Sequence, residues 1–145
     1  MFDNLVAETS LQETLIEQMR LSDLDEKSRG IAEMIIGNID DFGYLKASVD
    51  ELSVSTNIAA EEITRILKVV QTFYPAGVGA RDLRECLMLQ LERAGRERSI
   101  EYRIIRDYMD ALGKRRLPEI ASGMALSVEV VQAAVDKIGQ LEPKP

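Results

Sequence analysis

The stretch best equipped for chemistry is Gly77-Val-Gly79, with Arg81-Asp82 directly after it and a helical stripe beyond. A glycine-rich turn ahead of a helix can cradle a phosphate, because backbone N–H groups and the helix dipole converge there. This turn lacks a third glycine, the lysine of a phosphate-binding loop and a preceding strand, so neither nucleotide-binding pattern is met. Asn38–Leu45 gathers carboxylates around Gly43 and invites a calcium reading. Setting Gly43 at the sixth loop position makes Phe42 the fifth and Val49 the twelfth, where oxygen ligands are required. Calcium fails, and an Asx-rich turn with Tyr44 and Leu45 folding back onto the core explains the stretch. Asp40-Asp41 and Glu61-Glu62 suit a turn and a first helical turn, where negative charge complements the dipole. There is no histidine, which removes the commonest general base and metal ligand. Cys86 falls on an apolar helical stripe, as a small core residue would. No catalytic residue, metal or cofactor is expected, so the expected mode of action is binding.

The elements that position the glycine turn are helices. Pro75 predicts the end of a helix at Phe73 or Tyr74, because its ring removes an amide donor and biases Tyr74 away from helical angles. Gly77 and Gly79 free the backbone, and from Ala80 the residues Leu83, Cys86, Leu87 and Leu91 stripe a helix running to Arg93. Upstream, Met1–Glu8 reads as a poorly fixed end without the pattern of a secretory signal. Ser10 and Glu13 form a capping box for a first helix striped by Leu11, Leu15, Ile16 and Met19. A second helix is expected over Asp25–Ile39. Ser48 and Glu51 open a short helix to about Ser55, and a longer one carries Ile63, Ile66, Leu67, Val70 and Phe73. Gly95, inside the polar run Arg93–Ser99, marks the expected boundary between subdomains 1–94 and 95–145. Beyond it, Ile104, Ile105, Tyr108, Met109 and Leu112 stripe a helix from Ile100 ended by Gly113. Pro118 opens a short helix to about Ser122, and a last helix spans Ser127–Gln140. No strand-like alternation appears. The expected fold is all-α, two small helical-bundle subdomains, each containing a helix-turn-helix-like pair.

Those two pairs are alike at an offset of 68 residues: Leu52, Ile63, Val70 and Pro75 fall opposite Ile120, Val131, Ile138 and Pro143. A DNA-reading pair would place donors and cations on its second helix. The exposed positions here are Glu61, Glu62, Thr64, Arg65 and Lys68 in one copy, and Glu129, Gln132, Asp136 and Lys137 in the other. Neither set is basic enough to grip phosphates, so protein contact is the expected use. The 145 residues carry 18 Lys and Arg against 25 Asp and Glu, a net charge of −7. The charge is uneven. Arg93, Arg96, Arg98, Arg103, Arg106, Lys114, Arg115 and Arg116 face only four acids within their window, which is +4 and leaves −11 elsewhere. These eight are candidates for a basic contact surface, against the alternative of a solvated helix face with local ion pairs. One cysteine excludes an internal disulfide and fits a reducing cytoplasm. No apolar run is long enough to span a bilayer, so no membrane partner is expected.

Four segments carry a resemblance. Leu11-Gln-Glu-Thr-Leu15, Ile36-Gly-Asn-Ile-Asp-Asp-Phe-Gly-Tyr-Leu45, Tyr74-Pro-Ala-Gly-Val-Gly-Ala-Arg-Asp-Leu-Arg-Glu-Cys-Leu87 and Leu141-Glu-Pro-Lys-Pro145 occur in that order. Together they resemble the core-binding region of bacterial sigma-54 (sigma-N) transcription factors, over roughly Thr9–Pro145. The resemblance implies a helical region of two subdomains that docks on core RNA polymerase for transcription initiation at activator-dependent promoters. It implies a non-catalytic, cytoplasmic sigma subunit without cofactors. Promoter DNA, and an ATP-hydrolysing activator served by a glutamine-rich N-terminal region, are then partners of segments absent here. The chain is accordingly expected to be an excised core-binding piece. Gly77, Gly79, Arg81, Asp82 and Arg84 become candidates for polymerase or interdomain contact. The competing expectation is an autonomous helix-turn-helix DNA-binding regulator, against which the negative charge stands.

Overall fold

A computed structural model describes residues 10–141 and 143. The expected loose end over Met1–Glu8 lies outside the described residues, as do Glu142, Lys144 and Pro145 of the closing motif. Among the described residues the chain forms helices and two isolated β-bridges, with no strand. It divides into two compact units between Arg81 and Asp82.

The first unit holds α1 (Leu11–Arg20), α2 (Glu26–Gly37), α3 (Val49–Thr56) and α4 (Ala60–Val70). Their starts follow side-chain chemistry. Ser10 and Ser48 close capping boxes with Glu13 and Glu51, and Asp25 accepts from the Ser28 N–H. Each satisfies N–H groups that a helix cannot bond within itself. Gln12 serves the other end of α2, its Nε2 donating to the Ile36 and Ile39 carbonyls at 3.2 and 3.0 Å. α1 packs on α2, and α2 and α3 both pack on α4. Leu15, Ile35, Ile36, Ile63, Ile66 and Val70 fill their shared core and are fully buried. Burying one such side chain contributes about 1.5–3 kcal/mol, so the apolar stripes hold the unit together.

Two helix ends fall elsewhere than the stripes predict. α4 stops at Val70, not at Phe73 or Tyr74, and the next helix, α5, starts at Leu83 rather than Ala80 and runs to Arg93. Phe73 keeps the helical spacing and is buried, yet it reaches the core from a turn whose N–H donates to the Val70 carbonyl at 2.9 Å. Burial periodicity outlasts the helix here, so Pro75 follows a helix that has already ended.

The second unit holds α5 (Leu83–Arg93), α6 (Ile100–Asp107), α7 (Met109–Gly113), α8 (Leu117–Met124) and α9 (Val128–Ile138). α5 packs on α6, α6 on α7 and α9, α7 on α8, and α8 on α9. The division therefore falls ahead of α5, not at the Gly95 boundary expected for subdomains 1–94 and 95–145. Leu87 and Leu91 share a core with Ile104, Ile105, Ile120 and Val131, which ties α5 to the helices after it. Leu83, assigned to the same stripe, is 41% exposed. Gly95 is the left-handed residue (φ 75°) that ends α5, with its own N–H donating to the Glu92 carbonyl and that of Arg96 to the Leu91 carbonyl. That is helix-end chemistry, which in sequence looks like a linker. The single helix expected over Ile100–Gly113 breaks at Tyr108, where φ is −129° and ψ 29°. Pro118 is the second residue of α8, which continues past Ser122 to Met124.

The repeat is present in the element bounds themselves. α3 and α4 span 49–56 and 60–70, and α8 and α9 span 117–124 and 128–138, each bound displaced by 68. The residue ending the first helix of each pair is left-handed, Asn57 at φ 61° and Ala125 at φ 59°. Leu52, Ile63 and Val70 are buried in one copy, and Ile120, Val131 and Ile138 in the other.

Candidate functional site

The glycine turn is built into the first unit. Gly77 and Gly79 take φ of 95° and 83°, angles that a side chain disfavours. The turn docks through backbone bonds. The Gly79 N–H donates to the Gly43 carbonyl at 2.8 Å, and the Leu45 N–H to the Ala80 carbonyl at 2.9 Å. Gln71 Nε2 donates to the Gly79 carbonyl at 3.1 Å, and Val78 is fully buried. The Asn38–Leu45 turn is thus the partner of the corner. Asp40 Oδ1 accepts from the Phe42 and Tyr44 N–H groups at 2.9 and 3.0 Å, so that carboxylate is occupied by the turn. No group of three or more Cys, Asp or Glu is arranged to hold a metal ion among the described residues.

The other corner candidates lie at the corner's end and beyond it. Asp82 caps α5, accepting from the Glu85 N–H at 2.8 Å. Arg84 Nε and Nη2 donate to the Arg106 carbonyl at 3.1 and 2.9 Å. Arg81 is exposed. Gly77, Gly79, Asp82 and Arg84 therefore each have an internal structural role.

The basic window is largely paired locally. Arg96 binds Glu101, whose residue exposure is 4%. Burial opposes charge on Glu101, and the Arg96 guanidinium outweighs it, holding the carboxyl below its ordinary range. Arg106 forms a two-point pair with Asp107 at 3.0 and 2.9 Å. Lys114 reaches Asp110 at 3.3 Å and Arg116 reaches Glu119 at 3.8 Å. Arg93 is exposed at the end of α5. Arg98, Arg103 and Arg115 are exposed, and make no ion pair or side-chain hydrogen bond among the described residues. Between the two units the side-chain charge divides sharply: residues 1–81 have fourteen acids and seven bases, −7, while residues 82–145 have eleven of each.

One surface of the first unit is not marked by any motif in the sequence. Tyr74 is 71% exposed and its backbone is gripped by Gln18, with Oε1 accepting from the Tyr74 N–H at 2.7 Å and Nε2 donating to its carbonyl. Glu13, Thr14, Glu17, Gln18 and Tyr74 line an open depression of about 570 Å³. An exposed aromatic held on a fixed backbone beside two carboxylates is apt for protein recognition. The legible part of this signal was Glu13 and Glu17, four apart on the polar face of α1. The 56-residue separation of Gln18 from Tyr74 hid the remainder. On α4 of the first helix-turn-helix-like pair, Ala60, Glu61, Thr64, Arg65 and Lys68 line another open depression, of about 600 Å³. In α4, Arg65 is engaged by Glu62 at 2.7 Å, and α9 exposes Glu129, Gln132, Asp136 and Lys137.

Known proteins align with this chain over nearly its whole length. The family model described as "Sigma-54 factor, core binding domain" matches residues 1–145. The RNA polymerase sigma-54 factor of Acidithiobacillus ferridurans is 36% identical over 140 residues, covering 94% of this chain and 30% of that protein. The sigma-54 factor of Salmonella typhimurium is 36% identical over 142 residues with the same coverage. That of Bacillus subtilis is 27% identical over 136 residues, covering 94% of this chain and 31% of the relative. The chain thus spans about 30% of the length of these curated relatives. With the match extending across both helical units and the corner between Phe73 and Leu87, the chain belongs to the sigma-54 factor core-binding domain family.

Proposed function

We propose that this chain docks on core RNA polymerase as the core-binding part of a sigma-54 factor, and that it acts by binding, without catalysis. The observation that carries the reading is the core-binding-domain match over residues 1–145. In the whole protein, this docking would serve initiation at activator-dependent promoters in the bacterial cytoplasm. Promoter DNA and the ATP-dependent activator would engage other segments. No helix among the described residues is long and apolar enough to cross a membrane.

The first unit supplies the main contact in this reading. Its −7 charge favours a basic polymerase surface, and complementary charge raises association rate and specificity. Tyr74 is the anchor, with Glu13 and Glu17 beside it. Arg98 and Arg103, which with Arg115 make no ion pair among the described residues, face an acidic protein surface in the assembled complex. Gly77, Gly79, Asp82 and Arg84 act by fixing the scaffold. A competition assay against core polymerase tests the assignment. Glu17→Lys, and Tyr74→Ala separately, are expected to weaken binding roughly tenfold or more, the range of a moderate interface anchor. Unchanged affinity in both variants overturns the assignment of this depression.

A further inference from the structure

The second unit has a cleft that polymerase docking through the first unit leaves unused. It lies among α7, α8 and α9, with a volume of about 330 Å³, near the small end of ligand-binding pockets. Its apolar lining comes from Leu112, Leu117, Val135 and Ile138, and its polar lining from Arg115 and Gln132. The four aliphatic residues also belong to or pack against the core of the unit, so the lining is fixed by the fold. A core-backed apolar slot of this size accepts large aliphatic side chains, one helical turn apart, from a docked helix.

Charge selects among such helices. Lys114 and Arg116, on either side of Arg115, are answered by Asp110 and Glu119. Gln132 Nε2 donates to Asp136 at 2.9 Å. Arg115 alone of this basic run has no ion pair or side-chain hydrogen bond among the described residues. It also occupies an unfavourable backbone position. At φ 56° it is the left-handed residue ending α7, with its N–H donating to the Leu112 carbonyl and that of Arg116 to the Ala111 carbonyl. Glycine is the usual occupant of that place. Arg115 is exposed at the rim of this apolar slot, where its guanidinium can meet a carboxylate that a ligand brings.

We infer that the α7–α8–α9 cleft is a docking site for an acidic amphipathic helix of a partner protein, which seats aliphatic side chains between Leu112, Leu117, Val135 and Ile138 and pairs a carboxylate with Arg115. The second unit alone carries this site, so it stands whether or not the polymerase reading does.

The test uses the 145-residue chain and a labelled helical probe peptide with leucines one turn apart flanked by glutamates, beside a counterpart with lysines for glutamates. Fluorescence anisotropy reads affinity, and amide chemical shifts map the site. Binding of the acidic probe should move amides in 112–117 and 132–139, and the lysine probe should bind more weakly. Arg115→Glu should weaken the acidic probe roughly fivefold or more at low salt, with the difference shrinking as salt rises. Gly113→Leu offers an independent block: Gly113 lines the cleft and a Cβ there meets nothing within 4 Å, so the substitution adds an apolar side chain at the cleft without a clash at Cβ. Loss of binding in Gly113→Leu with unchanged thermal unfolding supports the site. Equal affinity for the two probes, shifts confined to other surfaces, or full binding by Gly113→Leu would overturn the proposal. Concentration-dependent dimerisation of the chain that Gly113→Leu abolishes would also overturn it, because the occupant would then be a second copy.

Discussion

Adding one methyl group at Gly79 should destabilise the first unit, whereas the same change at Gly37 should not. Gly79 sits at φ 83°, and an added Cβ would lie 3.2 Å from Gln71 Cγ and 3.6 Å from Leu67 Cδ1. The left-handed angle costs an alanine about 1–2 kcal/mol. The 3.2 Å contact adds roughly 1 kcal/mol of overpacking, because Leu67 is buried and Gln71 is held by its bond to the Gly79 carbonyl,. Gly79→Ala is therefore expected to cost about 2–3 kcal/mol and to lower the first unit's melting temperature by about 10 °C or more. Gly37 ends α2 without a left-handed angle and with nothing within 4 Å of an added Cβ. Gly37→Ala should be neutral or stabilise by up to about 1 kcal/mol. Thermal unfolding by circular dichroism measures both, and amide exchange at Ile35 and Ile66 reads the first unit separately. If Gly79→Ala melts with the unsubstituted chain, the scaffold role of the corner is wrong, and a surface role for its glycines returns.

Two further outcomes concern the second unit. Arg96→Met should cost about 2 kcal/mol, below the full range for breaking a buried pair because Arg96 itself is partly solvated,. Arg96→Met with Glu101→Leu should recover most of the loss, and a double variant no better than Arg96→Met would refute the pairing. Because the folded Glu101 carboxyl titrates below its ordinary range, its contribution is present above the unfolded carboxylate pKa and fades as pH falls through the lower folded value; Glu101→Gln should flatten that acid limb. Tyr102 gives the opposite limb. Burial, and then its bond to Glu92, push the phenol up to about 12, so its contribution is complete below the unfolded value of about 10 and is lost as pH rises through about 12. Ultraviolet titration of tyrosinate should show a late ionisation that Tyr102→Phe removes; the absence of any late ionisation would contradict the burial.

The features legible in the sequence were local. Ser10 with Glu13 and Ser48 with Glu51 marked two helix starts, since a capping box is complete within four residues. The 68-residue repeat was legible because the buried positions recur in step, and the helix bounds keep the same offset. The hidden features depended on distant partners. Phe73 has helical spacing from Val70, and only the fold decides that it reaches the core from a turn. Arg93–Ser99 reads as a linker because its charges are written side by side, whereas Arg96 folds onto Glu101 and Gly95 closes α5. The candidate surface was the least legible part. Tyr74 stood out in sequence only as the residue before Pro75, and becomes an exposed anchor through the grip of Gln18 from α1.

Docking on core polymerase through the acidic first unit can be measured residue by residue. Its most direct measurement is residue-mapped crosslinking of the 145-residue chain to core RNA polymerase, with a photoreactive group at position 17 or 74 and a control at position 129 on α9. A specific adduct is expected from positions 17 and 74, one that excess unlabelled chain competes away and that weakens as salt rises. No competable adduct from either position, with the chain folded and polymerase active, would contradict it.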